Sequence, residues 1–170
     1  MSLIVLLFIA RLIVGLGMAA HGSQKLFGWF GGYGLTGTGG YMEGLGFKPG
    51  STFALLAGLG ELVSGLLIAV GWLGGLGPAI LIMVMLVAIL TVHLPNGFFT
   101  ANNGWEMPGI YIASALGFMI TGFGAYSLDG WTGGIPVLSQ PDVLWMLVAG
   151  AIVLALLNLL MRKRPSQPAG

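Results

Sequence analysis

Two charges set inside long apolar runs, and a group of imidazoles, amides, an ammonium and a carboxylate between the runs, are the parts of this sequence able to do chemistry. Arg11 lies within MSLIVLLFIARLIVGLGMAAHG, and Glu61 sits near the middle of FALLAGLGELVSGLLIAVGW. A charge at that depth in a bilayer costs several kcal/mol unless it meets protein, water or a counter-ion, so each marks a functional position by default. The two runs are consecutive and would cross antiparallel with both charges near one depth, which makes Arg11 and Glu61 an expected pair. Such a pair either only fixes how two helices dock or serves a function.

The second group gathers at one predicted membrane level. His21 and Lys25 stand at i, i+4 spacing at the end of the first run, His93 ends the third, and Asn102, Asn103, Trp105 and Glu106 precede the fourth. Together they could hydrogen-bond a quinone carbonyl or exchange its protons, with Phe98, Phe99 and Trp105 available to pack against the ring. His21, His93 and Glu106 also make a two-histidine, one-carboxylate set, and the two imidazoles could ligate haem from opposite sides. No local ligand spacing backs a metal or haem. For each histidine alone the plainer role is contact with water or lipid headgroups where a helix leaves the bilayer. Asp129, in GFGAYSLDGW, is expected to cap a turn or hold a loop.

Helices must position these groups. Apolar residues make up 56% of the chain and charged residues 6%, and the mean hydropathy of +0.97 leaves too little charge for a water-facing exterior. The chain reads as an integral, multi-pass membrane protein. Its net charge of +1 argues against nucleic-acid binding, and the lack of cysteine leaves any thiol chemistry to a partner.

Five apolar segments are expected as spanning helices: Leu3 to Ala20, Phe53 to Trp72, Leu76 to Leu94, Pro108 to Phe123 and Val143 to Met161. Tryptophans near their ends (Trp29, Trp72, Trp105, Trp131, Trp145) form the expected interfacial belt, and the first run reads as a retained span. Around Glu61, the small residues Ala57, Gly58, Ser64 and Gly65 mark a face that meets another helix closely. Ser139 and Asp142 look like a cap for the last helix, and a short helix is expected near Thr38 to Leu45 in the glycine-rich first loop. No phosphate-binding loop appears. Lys25, Lys48 and the tail Arg162, Lys163, Arg164 would share one side, which predicts an exterior N-terminus and a cytoplasmic C-terminus.

The motifs RLIVGLGMAAHGSQKLFGWFGG, EGLGFKP, GELVSGLLIAVGWL, HLPNGFF, NNGWE and GFGAYSLD, in that order, resemble the DoxX family of small bacterial membrane proteins. The likeness runs from Arg11 to Asp129. It implies an all-α membrane protein with a four-helix transmembrane bundle core over residues 1–130. To this the present chain adds a fifth helix with its preceding loop over 131–161, and a basic, disordered cytoplasmic tail over 162–170.

The resemblance also implies a place in the inner membrane and an association with quinone-linked oxidoreductase systems of sulfur or oxidative-stress chemistry. Arg11, His21, Gly22, Lys25, Glu61, Gly71, His93, Gly97, Phe98, Glu106 and Asp129 fall on the family's motif positions. The leading expectation is therefore a membrane subunit of a redox complex. Its catalytic group would be His21, Lys25, Glu61, His93 and Glu106, and its quinone would lie among Arg11, His21, His93, Phe98 and Trp105. Its partners would be the lipid bilayer, soluble redox proteins and, through glycine-lined faces, further copies of itself. The alternatives are a non-catalytic scaffold that docks soluble partners through the first loop and tail, and a small transporter using the midplane charges.

Overall fold

A computed structural model describes residues 2–163. Its longest helices, α1 (Leu3–Phe27) and α3 (Gly50–Val70), pack antiparallel along a seam of glycines. A Cβ on Gly15 would lie 2.5 Å from the Ala69 nitrogen and 2.6 Å from the Gly65 carbonyl oxygen; one on Gly22 would lie 2.5 Å from the Leu62 nitrogen. The backbones touch, as small residues at helix interfaces in a membrane allow, since dispersion there replaces the hydrophobic drive. The face around Glu61 is thus the packed one: Gly58, Glu61, Ser64 and Gly65 are buried, while Val63 and Leu66 are exposed.

The remaining elements build outward from this pair. The short α2 (Gly34–Gly44) lies against α3 and α1, and confirms the helix expected in the first loop while starting earlier. Next comes α4 (Leu76–Ala88), which continues into a π-helical turn, Ile89–His93. It packs on α3, on α5 (Glu106–Thr121) and on α7 (Pro141–Leu160), with the one-turn α6 (Leu128–Thr132) between the last two. Leu81, Met85, Ala115, Phe118 and Met119 from α4 and α5 form the core with Met18 and Ile68. Large apolar residues such as Ile13 (69% exposed) and Leu154 (54%) face outward. That inverts the soluble pattern and suits a lipid surround.

All five expected segments are helical, and no strand occurs among the described residues. Among the described residues, four helices are long and apolar enough to cross a membrane: Leu3–Phe27, Gly50–Val70, Leu76–Asn96 and Pro141–Leu160. The expected fourth span is shorter, because α5 has 16 residues and covers about 24 Å. It ends at Thr121, where Gly122 takes φ 66° and turns the chain away before Phe123. It still runs from one end of the bundle to the other. At one end the Lys163 nitrogen donates to the Gly46 carbonyl (2.8 Å) and Arg162 Nε to the Leu45 carbonyl (2.5 Å). At the opposite end the Gly75 nitrogen donates to Leu138 (3.0 Å) and the Asp129 nitrogen to Gly71 (3.0 Å). The start of α1 lies at the second end and the finish of α7 at the first.

Ser139 and Asp142 do not cap α7: the helix begins at Pro141 with Gln140 as N-cap and no side-chain cap bond. Proline at the first position has no N–H to satisfy, so less capping is needed, and Asp142 instead lies in the first turn beside the positive end of the helix dipole. The tail expected from residue 162 begins with two residues bonded to the α2–α3 loop, and 164–170, including Arg164, lie outside the described residues.

Candidate functional site

Glu61 does not meet Arg11. Its carboxylate takes both oxygens to the ammonium of Lys25, with Nζ 2.6 Å from Oε1 and 2.5 Å from Oε2, and Glu61 is 4% exposed. The glycine seam explains the exchange of partners. Contact of Gly15 with Gly65–Ala69 and of Gly22 with Gly58–Leu62 sets the register, placing Glu61 opposite the His21–Gly22 level and Arg11 opposite Gly71. Arg11 and His21 are separated by about 15 Å of helix, so the two expected partners sit at different depths. Lys25, one turn beyond His21, reaches back to the carboxylate. At Gly58 an added Cβ would already lie 3.3 Å from the Lys25 Cβ.

Arg11 instead ties down the opposite end. Fully buried, it donates from Nη2 to the Tyr126 carbonyl, and its guanidinium lies 5.7 Å from the ring centre of Phe8 and 5.8 Å from that of Phe123. Nε and Nη1 have no hydrogen-bond partner among the described residues. The two ring faces supply part of the missing compensation. Gly71 has φ 69°, ends α3 in the left-handed region and leaves room for Nη1; a Cβ there would overlap it. Asp129 holds the adjoining turn by accepting from the Leu73 (3.2 Å) and Gly74 (2.7 Å) nitrogens, as expected of a loop-holding carboxylate.

The ion pair opens on a cavity of about 680 Å³ under the first end of the bundle. His21, Lys25, Glu61 and His93 all line it, so four expected site residues share one hollow. The π turn contributes: an extra residue per turn widens the end of α4, a distortion often found at functional sites, and His93 is its last residue. His93 Nδ1 donates to the Asn103 carbonyl (2.8 Å), and His21 Nδ1 lies 3.2 Å from Gln24 Oε1. Most of the wall is apolar, with Met18, Met83, Met85, Phe53, Leu56 and Leu157 among its residues.

Phe98, Trp105 and Glu106 do not line this cavity, and neither does Arg11. Glu106 Oε2 accepts from the Thr100 nitrogen (2.9 Å), so its carboxylate is used to fold the α4–α5 loop. His21, His93 and Glu106 accordingly do not assemble, and no group of three or more His, Asp or Glu placed to hold a metal occurs among the described residues. Phe98 packs edge-on against Trp105 (4.8 Å, 81°) and Phe99 (5.3 Å, 78°) in a separate aromatic cluster.

Sequence reasoning missed Tyr111. It lines the cavity, stands edge-on to His21 with ring centres 6.4 Å apart, and has its hydroxyl 3.1 Å from where a Cβ on Gly17 would be. The available signal was a lone phenol one and a half turns into a largely apolar helix. Thr91 and Asn158 line the wall as well.

The family model described as DoxX matches residues 6–94, just over half of the 170-residue chain. The chain belongs to the DoxX family. The DoxX match takes in α1 to the π turn of α4, and with them Arg11, His21, Lys25, Glu61 and His93; Tyr111, Asn103 and α7 lie beyond it. No curated protein and no solved structure matched the chain significantly.

Proposed function

We propose that this DoxX protein is a membrane subunit of an oxidoreductase system, quinone-linked, and connected to sulfur or oxidative-stress redox chemistry as the family resemblance implies. The observation that carries the quinone part is the cavity. Its volume of about 680 Å³ falls in the range of small-molecule sites, and its wall combines an apolar majority with a few convergent polar groups. A quinone needs both. The methionine- and leucine-bearing wall suits the ring and tail, while His21, His93, Tyr111 and the Lys25–Glu61 pair offer hydrogen bonds to the ring oxygens. A bound quinone would supply two-electron, two-proton redox chemistry. The chain's own residues orient the ring, keep bulk water from it and hold protons beside it.

Solvent extraction of the protein purified from gently solubilised membranes is expected to yield quinone, and His21→Ala or His93→Ala to weaken its binding about tenfold in at least one of its redox states without loss of thermal stability. Unchanged binding in both variants removes the pocket from the function.

A non-catalytic scaffold is the second reading, favoured by the first loop. Trp29, Phe30 and Tyr33 are exposed there (58%, 71% and 87%), at the end of the bundle that also carries Lys48, Arg162 and Lys163. Under that reading, shortening the loop releases soluble redox partners from a pull-down while leaving quinone binding intact.

A further inference from the structure

Both imidazoles of the cavity are tied at the same nitrogen, by oxygens that can only accept. The Asn103 carbonyl has no proton to give, so the 2.8 Å contact requires a proton on His93 Nδ1. At His21 the same result comes through a relay. Gln24 Nε2 donates to the Phe30 carbonyl (3.1 Å), which turns Gln24 Oε1 toward His21 Nδ1 (3.2 Å), and an amide oxygen also only accepts. Two separate networks thus select the Nδ1–H form in each ring. In a neutral imidazole of that form Nε2 is a bare acceptor.

The other polar groups do not restore the balance. The Lys25 ammonium gives one N–H to each oxygen of Glu61, and its third N–H can donate to an oxygen of either redox form. Tyr41, Tyr111, Asn103 and Asn158 also line the cavity, and a phenol or a side-chain amide can both give and take a hydrogen bond. The two imidazole Nε2 atoms are therefore acceptors toward a ligand, while the hydroxyl and amide groups of the lining can serve either redox form.

From this we infer that the site, on the quinone reading given above, prefers the reduced ligand: an aromatic diol with an apolar tail, whose two O–H groups donate to His21 Nε2 and His93 Nε2. An oxidised ring presents carbonyl acceptors to the same two nitrogens and gains nothing from them. Gln24 is a positioning residue, since it acts on the ligand only through the proton it fixes on His21.

The test uses the full chain in detergent or nanodiscs, held anaerobically at pH 8, where imidazole is ordinarily neutral. The probes are decyl-benzoquinone and its hydroquinone, with affinities read by equilibrium binding and the bound couple followed by redox titration. The hydroquinone is expected to bind about tenfold tighter, a difference of roughly one neutral hydrogen bond. That raises the bound couple about 30 mV above the free one. Gln24→Leu, which frees the His21 tautomer, and His93→Phe, which deletes one acceptor, are each expected to shrink the preference and move the bound couple back toward the free value. If the quinone binds as tightly as the hydroquinone or tighter, or if both variants keep the full preference, the inference is overturned while the quinone reading stands. If neither probe binds, the quinone reading fails and the inference with it.

Discussion

The Lys25–Glu61 pair and the Arg11 anchor put different demands on single residues. Glu61 is almost fully enclosed and, among the described residues, its charge is answered by Lys25, so removing the ammonium strands a carboxylate inside the bundle. Lys25→Met is expected to destabilise the protein by about 3 kcal/mol, within the range for breaking a buried pair, and Lys25→Met with Glu61→Gln to recover part of the loss. Denaturant unfolding in mild detergent measures both. At the other end, Gly71→Ala must accommodate a Cβ where Arg11 Nη1 already lies, on a backbone at φ 69°. It is expected to lower the unfolding temperature by several degrees, whereas Gly117→Ala, where an added Cβ meets nothing within 4 Å, is expected to be neutral or slightly stabilising. Residue types announced both charges in the sequence, since nothing else explains Arg11 or Glu61 in an apolar run. Their partners were not legible, because pairing depends on register, and register is decided by the backbone contacts of Gly15, Gly22 and Gly65.

The α1–α3 seam tolerates no side chain at Gly15, Gly22 or Gly65, where an added Cβ would meet backbone at 2.5–2.6 Å, a distance only helix separation can relieve. Gly22→Val is expected to separate Lys25 from Glu61 and to cost more stability than Lys25→Met, which a side-by-side unfolding series decides. The small face of α3 was readable from Gly58, Ser64 and Gly65 at helical spacing. The π turn was not, since Ile-Leu-Thr-Val-His holds no proline or glycine to announce it. Deleting Thr91 would restore ordinary helical winding and turn His93 by about 100°, one residue's share of a 3.6-residue turn. That variant is expected to lose quinone binding while keeping its helical content by circular dichroism. Trp105 and Glu106 were misassigned to the site for a related reason: nearness in sequence to His93 and Asn103 did not reveal that the α4–α5 loop uses them for its own folding.

At the scale of the whole molecule, the helices cross from end to end an odd number of times, so the start of α1 and the finish of α7 stand at opposite ends of the bundle. Lys48, Arg162 and Lys163 lie at the cavity end, and Asp129 and Asp142 at the other. From the excess of basic residues the cavity end is expected to face the cytoplasm. Tyr33→Cys, at the cavity end, is expected to resist a membrane-impermeant maleimide in intact cells, while Trp131→Cys, 75% exposed in the native protein, is expected to label; the reverse pattern would invert the orientation.

The clasp that joins Arg162 and Lys163 to Leu45 and Gly46 has a mechanical consequence. Together with the Gly75–Leu138 bond it staples the last helix at both extremities, so that helix is a doorpost and not a door. A covalent link between the α2–α3 loop and the residues that follow α7 should leave the rate of ligand uptake untouched, and a bulky fusion appended behind the clasp should slow nothing unless it pries those two stretches of backbone apart.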